Sequence, residues 1–249
     1  MDLAGKKVLV TGGAVRIGRA IVDCLSESGC DVALQYLHSA DAAKETVSRL
    51  EARGVRSVAL QVDLTMISEV SSLVDTSASA LGGLDILINN AAVFHKHSLH
   101  DSTPGRLQAE LAVNAYAPIA LMRAFAKYRD RAVSAGAAPV AGIVNILDRR
   151  IAAIEPGALP YQLSKSMLRD ATLLAARELG PAIRVNAVAP GPVLPPPGQG
   201  DAYLQEHAGP MVLARRPSPQ DVAEAVRFLL EADAITGQII YVDSGQHLL

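Results

Sequence analysis

Short apolar runs alternate with longer amphipathic segments along the whole chain. The runs predict seven buried strands, at 7–11, 31–36, 58–62, 84–89, 140–146, 183–189 and 238–242. Between them, apolar residues recur at helical spacing and predict helices at 16–28, 41–53, 67–81, 104–132, 160–179 and 219–230. Apolar strands that alternate with amphipathic helices are typical of a parallel sheet covered on both faces. The pattern therefore predicts one α/β domain over residues 1–249, with a doubly wound parallel sheet of about seven strands.

Five of the predicted strands end on residues that suggest a site. These residues are Thr11, Asp63, Asn89, Asp148 and Pro190. Ligands of a doubly wound sheet bind beyond the carboxyl ends of its strands. We therefore expect a binding site along this edge of the sheet.

A tyrosine and a lysine are spaced four residues apart in the predicted helix 160–179. This spacing places Tyr161 and Lys165 on one helical face, about 5–6 Å apart at Cβ. A positive neighbour favours phenolate, so we expect Lys165 to lower the pKa of Tyr161 and make it a general acid–base group. An ordinary helix can carry the same pair, so the pair indicates function only together with the rest of the chain.

Composition narrows the class of protein. The 249 residues are half hydrophobic and carry a net charge of −2, without a Lys/Arg cluster beyond short pairs, which argues against nucleic acid and anionic membranes as partners. No run of 18 apolar residues occurs and the N-terminus lacks a signal-like segment, so a cytoplasmic location is expected. Cys24 and Cys30 have no metal-like Cys/His constellation beside them, so structural thiols and no metal site are expected.

The segment 190–219 interrupts the alternation of strands and helices. It carries eight of the fourteen prolines and lies between a strand and the last helix. Long connections of this kind inside a compact domain are usually functional, so the segment is interpreted as a lid over a ligand, with a passive surface loop as the alternative. Its Arg215 and Arg216 would either grip an anionic substrate tail or stay solvated.

A glycine-containing turn, 11–18, joins the first strand to the first helix. Glycines there allow phosphate to approach the backbone N–H groups at the positive helix terminus, although the turn is not a strict GxGxxG. After the second strand no acid occurs until Asp41, so a carboxylate that would repel a 2′-phosphate is missing. Arg16 offers a charge-assisted fork, and His38 and Ser39 offer hydrogen bonds. For a nicotinamide dinucleotide, which the motifs in the next paragraph imply, these features favour NADPH over NADH.

Further motifs follow in a characteristic order: Asn89-Asn90-Ala91-Ala92, Asn114, Tyr161-x-x-x-Lys165 and Pro190-Gly191. Together with the glycine turn they resemble the classical short-chain dehydrogenase/reductase family, from residue 7 to residue 245. The resemblance implies a Rossmann-type fold, NAD(P)-dependent hydride transfer and often a homotetramer. It implies that the cofactor is bound by Gly12, Arg16, Ile17, Gly18, His38, Ser39, Asp63, Leu64, Asn90, Ala91, Ala92, Tyr161, Lys165, Pro190, Gly191 and Val193.

The same resemblance implies individual roles. Asp63 and Leu64 would contact adenine, although Asp63 could instead be a plain cap of the next helix. Lys165 would bind the nicotinamide ribose, and Asn114 would hold a water that links Lys165 to solvent, or else be a polar break in a helix.

Two departures from the family pattern favour a subgroup. Arg16 stands where the commonest turn has Gly, and Asp148 stands thirteen residues before Tyr161, where a catalytic Ser is usual. Both together resemble the pteridine reductases, although His38 falls where those enzymes often carry Arg. Phe94 falls where they place a ring that stacks the pterin on nicotinamide; the alternative for Phe94 is a core residue.

The chemistry of Asp148 agrees with this subgroup. An ionised aspartate only accepts hydrogen bonds, so it suits a substrate with N–H groups, or one that needs a proton relayed to a ring nitrogen. The alternative is an acid merely paired with Arg149 or Arg150. The expected activity is NADPH-dependent reduction of a dihydropterin or dihydrofolate. Reduction of a carbonyl or quinone-like compound is the alternative, and a non-catalytic cofactor-binding protein is the alternative from another class.

Overall fold

The computed structural model describes residues 1–136 and 140–249. Within these residues, seven strands form one sheet in the order β3-β2-β1-β4-β5-β6-β7, and every neighbouring pair is parallel. The strands are β1 Lys7–Thr11, β2 Asp31–Tyr36, β3 Ser57–Gln61, β4 Ile86–Asn89, β5 Ala141–Ile146, β6 Ile183–Pro190 and β7 Ile239–Val242. The predicted doubly wound, Rossmann-type sheet is confirmed. Residue 140, the predicted start of the fifth strand, lies just outside β5.

Eight α-helices accompany the sheet in the described part of the chain. They are α1 Arg16–Glu27, α2 Ala40–Glu51, α3 Ile67–Leu81, α4 Pro104–Leu111, α5 Ala117–Ser134, α6 Leu159–Leu179, α7 Asp201–His207 and α8 Pro219–Glu231. Short 3₁₀ turns occur at Arg149–Ile151 and Gln246–Leu248. Helix α7 lies inside the Pro-rich segment, where the sequence predicted no helix.

The helix predicted as continuous over 104–132 is interrupted. A π-helical turn, Ala112–Tyr116, separates α4 from α5. Pro118 lies at the start of α5 and has no N–H, so the carbonyl of Asn114 four residues earlier loses its usual partner. A local widening of the helix at this point turns Asn114 inward, where its side chain is fully buried.

Side chains alternate between two cores, one on each face of the sheet. In β1, Val8 and Val10 pack with α1 and α8, whereas Leu9 faces α3 and α5. Each fully buried aliphatic side chain contributes about 1.5–3 kcal/mol to folding. The strands are therefore held rigidly, and their carboxyl ends meet at one edge.

The strand order changes direction between β1 and β4. From β1 the chain runs outward through β2 and β3, then returns to place β4 on the other side of β1. Ligands of open α/β sheets bind in the crevice at such a switch point. Here that crevice lies between the turn after β1 and the Asn89-Asn90 segment after β4.

The structure also bears on membrane spans, metal sites and the two cysteines. Among the helices of the described residues, none is long and apolar enough to cross a membrane. In the same residues, no group of three or more His, Cys, Asp or Glu could hold a metal ion. Cys24 and Cys30 are buried and free, and burial raises the pKa of the Cys30 thiol to about 12. Both thiols therefore pack as small apolar groups.

Candidate active site

The turn after β1 is closed so tightly that only glycine fits at one position. A Cβ on Gly18 would lie 2.0 Å from the carbonyl oxygen of Gly12, whose own φ is +62°. The side-chain amide of Asn90 donates to the carbonyls of Thr11 and Gly12 at 2.9 and 3.2 Å. The first turn of α1 thus stays open at its N-terminus, where the backbone N–H groups favour phosphate.

Two polar side chains fix this turn to its neighbours. The hydroxyl oxygen of Thr11 accepts from the backbone N–H groups of Asn90 and Ala91 at 2.9 and 3.1 Å. The side chain of Gln35 accepts from the N–H of Gly12 at 2.9 Å and donates to the carbonyl of Val62 at 2.7 Å. Sequence reasoning missed Gln35. Its position near the end of β2, opposite Thr11 in the sheet, was the available signal.

Arg16 links the turn to the Pro-rich segment. Its φ is +56°, in the left-handed region, and its guanidinium donates to the carbonyl of Pro195 at 2.8 Å. The left-handed conformation costs a non-glycine residue about 1–2 kcal/mol. Glycine would adopt this conformation without that cost.

The remaining residues predicted around the adenosine half lie at the ends of β2 and β3. His38 is exposed, and Ser39 precedes α2. Asp63 accepts from the backbone N–H and the hydroxyl of Thr65, which lowers the pKa of its carboxyl. It does not cap α3, because the N-cap of that helix is Met66 and no side chain bonds to it there, so the capping alternative is wrong. Leu64 is buried. Their contacts with a cofactor remain predictions.

Tyr161, Lys165 and Asp148 come together where β5 ends. The hydroxyl of Tyr161 donates to a carboxylate oxygen of Asp148 at 3.0 Å. The ammonium of Lys165 lies 5.9 Å from the centre of the Tyr161 ring and donates to the carbonyl of Ile146 at 2.8 Å. Tyr161 and Lys165 are both buried.

The expected effect of Lys165 on Tyr161 is wrong for this structure. Burial, and after it the charge of Asp148, raises the pKa of Tyr161 well above its usual value. Burial also lowers the pKa of Lys165 to about 8. Both shifts follow from removing charge from water, which the i,i+4 spacing alone does not reveal. Tyr161 is therefore held as the neutral phenol, the form that donates a proton.

Asp148 pairs with Arg150, one of the two arginines that the sequence offered as its alternative partners, and also accepts from Tyr161. Besides Tyr161, it accepts from the backbone N–H of Arg150 at 2.8 Å and pairs with its guanidinium at 3.3 Å. Arg149 pairs with Glu155 instead, which also binds Arg150. Asp148 thus caps the 3₁₀ turn after β5 while one of its oxygens reaches the phenol.

Asn114 is the polar anchor of the π-helical turn. Its amide oxygen accepts from the N–H of Val93 at 2.9 Å, and its amide nitrogen donates to the carbonyl of Val93 at 2.9 Å. The same nitrogen donates to Glu110 at 2.9 Å and to the hydroxyl of Ser164 at 3.0 Å. Sequence reasoning missed Glu110, although its spacing of four residues from Asn114 in a predicted helix pointed to contact.

Phe94 is not a core residue. Its side chain is 41% exposed, and its ring meets that of Tyr161 edge-on, with 4.7 Å between centroids and an interplanar angle of 86°. The guanidinium carbon of Arg150 lies 5.6 Å from the centre of the Phe94 ring. Phe94 therefore joins Tyr161 and Asp148 in one group at the end of β5, with its own ring partly exposed.

At the start of the segment after β6, Gly191 packs closely against Asp243. A Cβ on Gly191 would lie 2.8 Å from Asp243, and the N–H of Gly191 donates to the carbonyl of Val242 at 3.0 Å. Val193 is buried nearby. Farther along, the hydroxyl of Tyr203 in α7 accepts from Lys96 at 3.2 Å, which ties the segment to the Phe94 loop.

The two arginines of the segment have different surroundings. Arg215 pairs with Asp221 at 2.6 Å, so its guanidinium is already engaged within the chain. Arg215 and Arg216 both line a cavity of about 390 Å³ beside α7, but only Arg215 has this ion pair. Of the two, Arg216 is the better placed to meet a ligand, and its role remains a prediction.

The fold and this site define a nucleotide-binding α/β oxidoreductase with a Tyr–Lys pair. Residues 13–247 match a family model described as enoyl-(acyl carrier protein) reductase. The chain belongs to the short-chain dehydrogenase/reductase family, as the sequence motifs predicted.

Two solved structures and one further relative are similar to this chain over nearly its whole length. The FolM alternative dihydrofolate reductase 1 of Brucella suis, in complex with NADP, has a TM-score of 0.91 and 34% identity, covering 100% of this chain and 97% of that one. A short-chain dehydrogenase of Burkholderia cenocepacia, also with NADP, has a TM-score of 0.87 and 35% identity over 98% and 99%. The L-2,3-butanediol dehydrogenase of Corynebacterium glutamicum is 33% identical over 96% of this chain and 98% of its own length. The predicted NADP(H) cofactor agrees with the first two.

Proposed function

We propose that this protein is an NADPH-dependent pterin reductase that converts a dihydropterin or dihydrofolate to the tetrahydro form. The observation that carries the proposal is the hydrogen bond from Tyr161 to Asp148 beside the exposed ring of Phe94. A carboxylate in this place accepts from substrate N–H groups, whereas a carbonyl substrate needs a donor.

The cofactor is NADP(H), and the residues of this chain fit it. Gly12 and Gly18 leave the N-terminus of α1 open to the pyrophosphate. Arg16, His38 and Ser39 would hold the 2′-phosphate, since the chain has no acid directly after β2. Asn90, Ala91 and Ala92, with Pro190, Gly191 and Val193, would flank the nicotinamide half.

NADPH, when bound, supplies the hydride that reduces the C=N carbon. Tyr161 would then provide the proton from its neutral hydroxyl, which in this structure donates to Asp148. Asp148 holds the substrate through its N–H groups or passes the proton to the ring nitrogen. Lys165 lies one turn after the phenol on the same helix and would bind the ribose hydroxyls, and Asn114 fixes the backbone of Val93.

The rival substrate class is a carbonyl or quinone-like compound. The name of the Corynebacterium relative favours it, whereas the name of the Brucella neighbour favours dihydrofolate. The test is NADPH oxidation with dihydrobiopterin, dihydrofolate and a panel of simple ketones, with methotrexate as inhibitor. Turnover of pterins that methotrexate blocks supports the proposal. Equal turnover of ketones with none of pterins overturns it, and NADPH binding without any turnover favours the non-catalytic alternative.

We also propose a cytoplasmic homotetramer. Helix α6 exposes Leu163, Met167 and Leu174, and α5 exposes Ile119. Apolar side chains gathered on adjoining helices mark an interaction surface. Light scattering on the purified protein should give four times the chain mass of 26.1 kDa; a monomer would contradict the assembly and leave the proposed chemistry untouched.

A further inference from the structure

A buried carboxylate outside the sequence motifs joins two residues of the candidate site. Glu110, in the last turn of α4, is fully buried. One of its oxygens accepts from the backbone N–H of His95 at 2.8 Å and lies 2.9 Å from the ring Nδ1 of His95. The other accepts from the amide of Asn114 at 2.9 Å. A buried carboxylate requires such partners, so this arrangement is specific rather than incidental.

These contacts hold the backbone on both sides of Phe94. Before it, the N–H and the carbonyl of Val93 are both bonded to the amide of Asn114. After it, His95 is bonded to Glu110 through its N–H and its ring. Because both neighbours are fixed, Phe94 has little backbone freedom, and its ring is kept edge-on to Tyr161.

We propose that Glu110 is a positioning residue for substrate binding, which acts through His95 and Asn114 to present the Phe94 ring to a planar substrate. The inference rests on the proposed function in one respect, that a flat heterocycle packs on Phe94. The hydrogen bonds of Glu110 described above go to His95 and Asn114, and none of them joins it to Tyr161 or Asp148. It therefore sets how tightly the substrate binds, while the reacting groups are Tyr161 and Asp148.

A charge effect is the competing role for Glu110. The titratable groups around it are His95 on the loop and Tyr161 and Lys165 on α6, with Asp148 and Arg150 beyond them. Burial lowers the pKa of Lys165, and the charges of Asp148 and Glu110 oppose that shift. If charge were the role of Glu110, its loss would change proton transfer, whereas loss of positioning changes substrate affinity.

The kinetic test compares Glu110→Gln with His95→Ala and with the control Asp101→Asn, an exposed acid-to-amide change just before α4. The glutamine of Glu110→Gln has one oxygen and one N–H₂ group in place of two oxygens. Its N–H₂ group would face the N–H of His95 or the amide of Asn114, so one of these donors loses its acceptor. With dihydrobiopterin we expect a KM about tenfold higher and a kcat within about threefold of wild type, the scale of a buried donor left unpaired. His95→Ala keeps the backbone bond and should have a smaller effect. The double variant should equal Glu110→Gln, because the ring acts through that carboxylate.

A second measurement does not depend on the substrate. Amide hydrogen exchange of residues 93–97, with NADPH present, should be about tenfold faster in Glu110→Gln than in wild type or Asp101→Asn. Unchanged exchange overturns the proposal, as does a fall in kcat with KM unchanged and a shifted pH profile. A wild-type protein that reduces no pterin refutes the proposed function alone, since exchange still decides the role of Glu110. Should Glu110→Gln fail to fold, His95→Ala tests the ring contact with Glu110 by the same two measurements: a smaller rise in KM with faster exchange supports the proposal, and wild-type values of both overturn it.

Discussion

Tyr161 donates its hydrogen bond to Asp148, 3.0 Å away, so the phenol of the candidate acid is already directed at a carboxylate. A substrate that displaces this contact must offer Asp148 another donor and accept the proton of Tyr161. A ring nitrogen beside an amino group meets both needs, whereas a ketone meets only the second. The side chain at position 148 should therefore decide between a pterin and a ketone as substrate.

Asp148→Ser should therefore exchange one substrate class for the other. We expect pterin turnover to fall about a hundredfold or more, the usual contribution of a proton-handling group, with NADPH binding changed by no more than about threefold. Reduction of simple ketones should hold or rise. Steady-state kinetics and fluorescence titration of NADPH measure both effects. Asp148→Asn, which keeps the shape and removes the charge, is the control; unchanged pterin turnover in Asp148→Ser would mean that Asp148 only pairs with Arg150.

The strands and the parallel, doubly wound class of the sheet could be predicted because each strand is apolar and each helix is amphipathic, and both are local patterns. The order of the strands within the sheet was not predicted. The same holds for the polar residues at strand ends, which parallel topology brings to one edge. The π-helical turn depends on what surrounds Asn114, and the raised pKa of Tyr161 depends on burial and on a residue thirteen positions away. Neither is a local property, so neither could be predicted from spacing.

Arg16→Gly should relax cofactor preference and relieve the backbone strain at this position of the turn. Removal of the guanidinium takes a charge-assisted partner from the 2′-phosphate, so the ratio of kcat/KM for NADPH over NADH should fall about tenfold. Glycine also adopts the φ of +56° freely, which should offset part of the lost contact with Pro195. Arg16→Lys, which keeps the charge and the strain, should retain most of the preference. A ratio unchanged in Arg16→Gly would place the 2′-phosphate contact elsewhere.

Phe94→Leu should weaken pterin binding without altering the chemistry. The leucine keeps apolar bulk but loses the ring face, and aromatic pairs contribute about 0.5–1.5 kcal/mol beyond their buried area. We expect a KM for dihydrobiopterin about three- to tenfold higher, with the Kd for NADPH and the melting temperature near wild type, because the side chain is exposed. Equal losses on pterins and on simple ketones would mean that the ring shapes the site in general and does not stack on a pterin.

The pH dependence of kcat/KM should follow the protonation of the Lys165 ammonium. Burial lowers the pKa of Lys165 to about 8, so above that pH the ammonium loses its proton and its hold on the ribose hydroxyls. The value of kcat/KM should then fall about tenfold per pH unit on the basic side.

Loss of stability through the titration of Lys165 cannot cause this fall in kcat/KM. The folded pKa lies below the unfolded value, so between about pH 8 and pH 10.5 the unfolded chain binds more protons and stability rises with pH. The measurement is kcat/KM from about pH 6 to pH 10, with melting temperatures at each pH as control. A profile that stays flat to about pH 9.5 would show that Lys165 stays charged or that its charge is not needed.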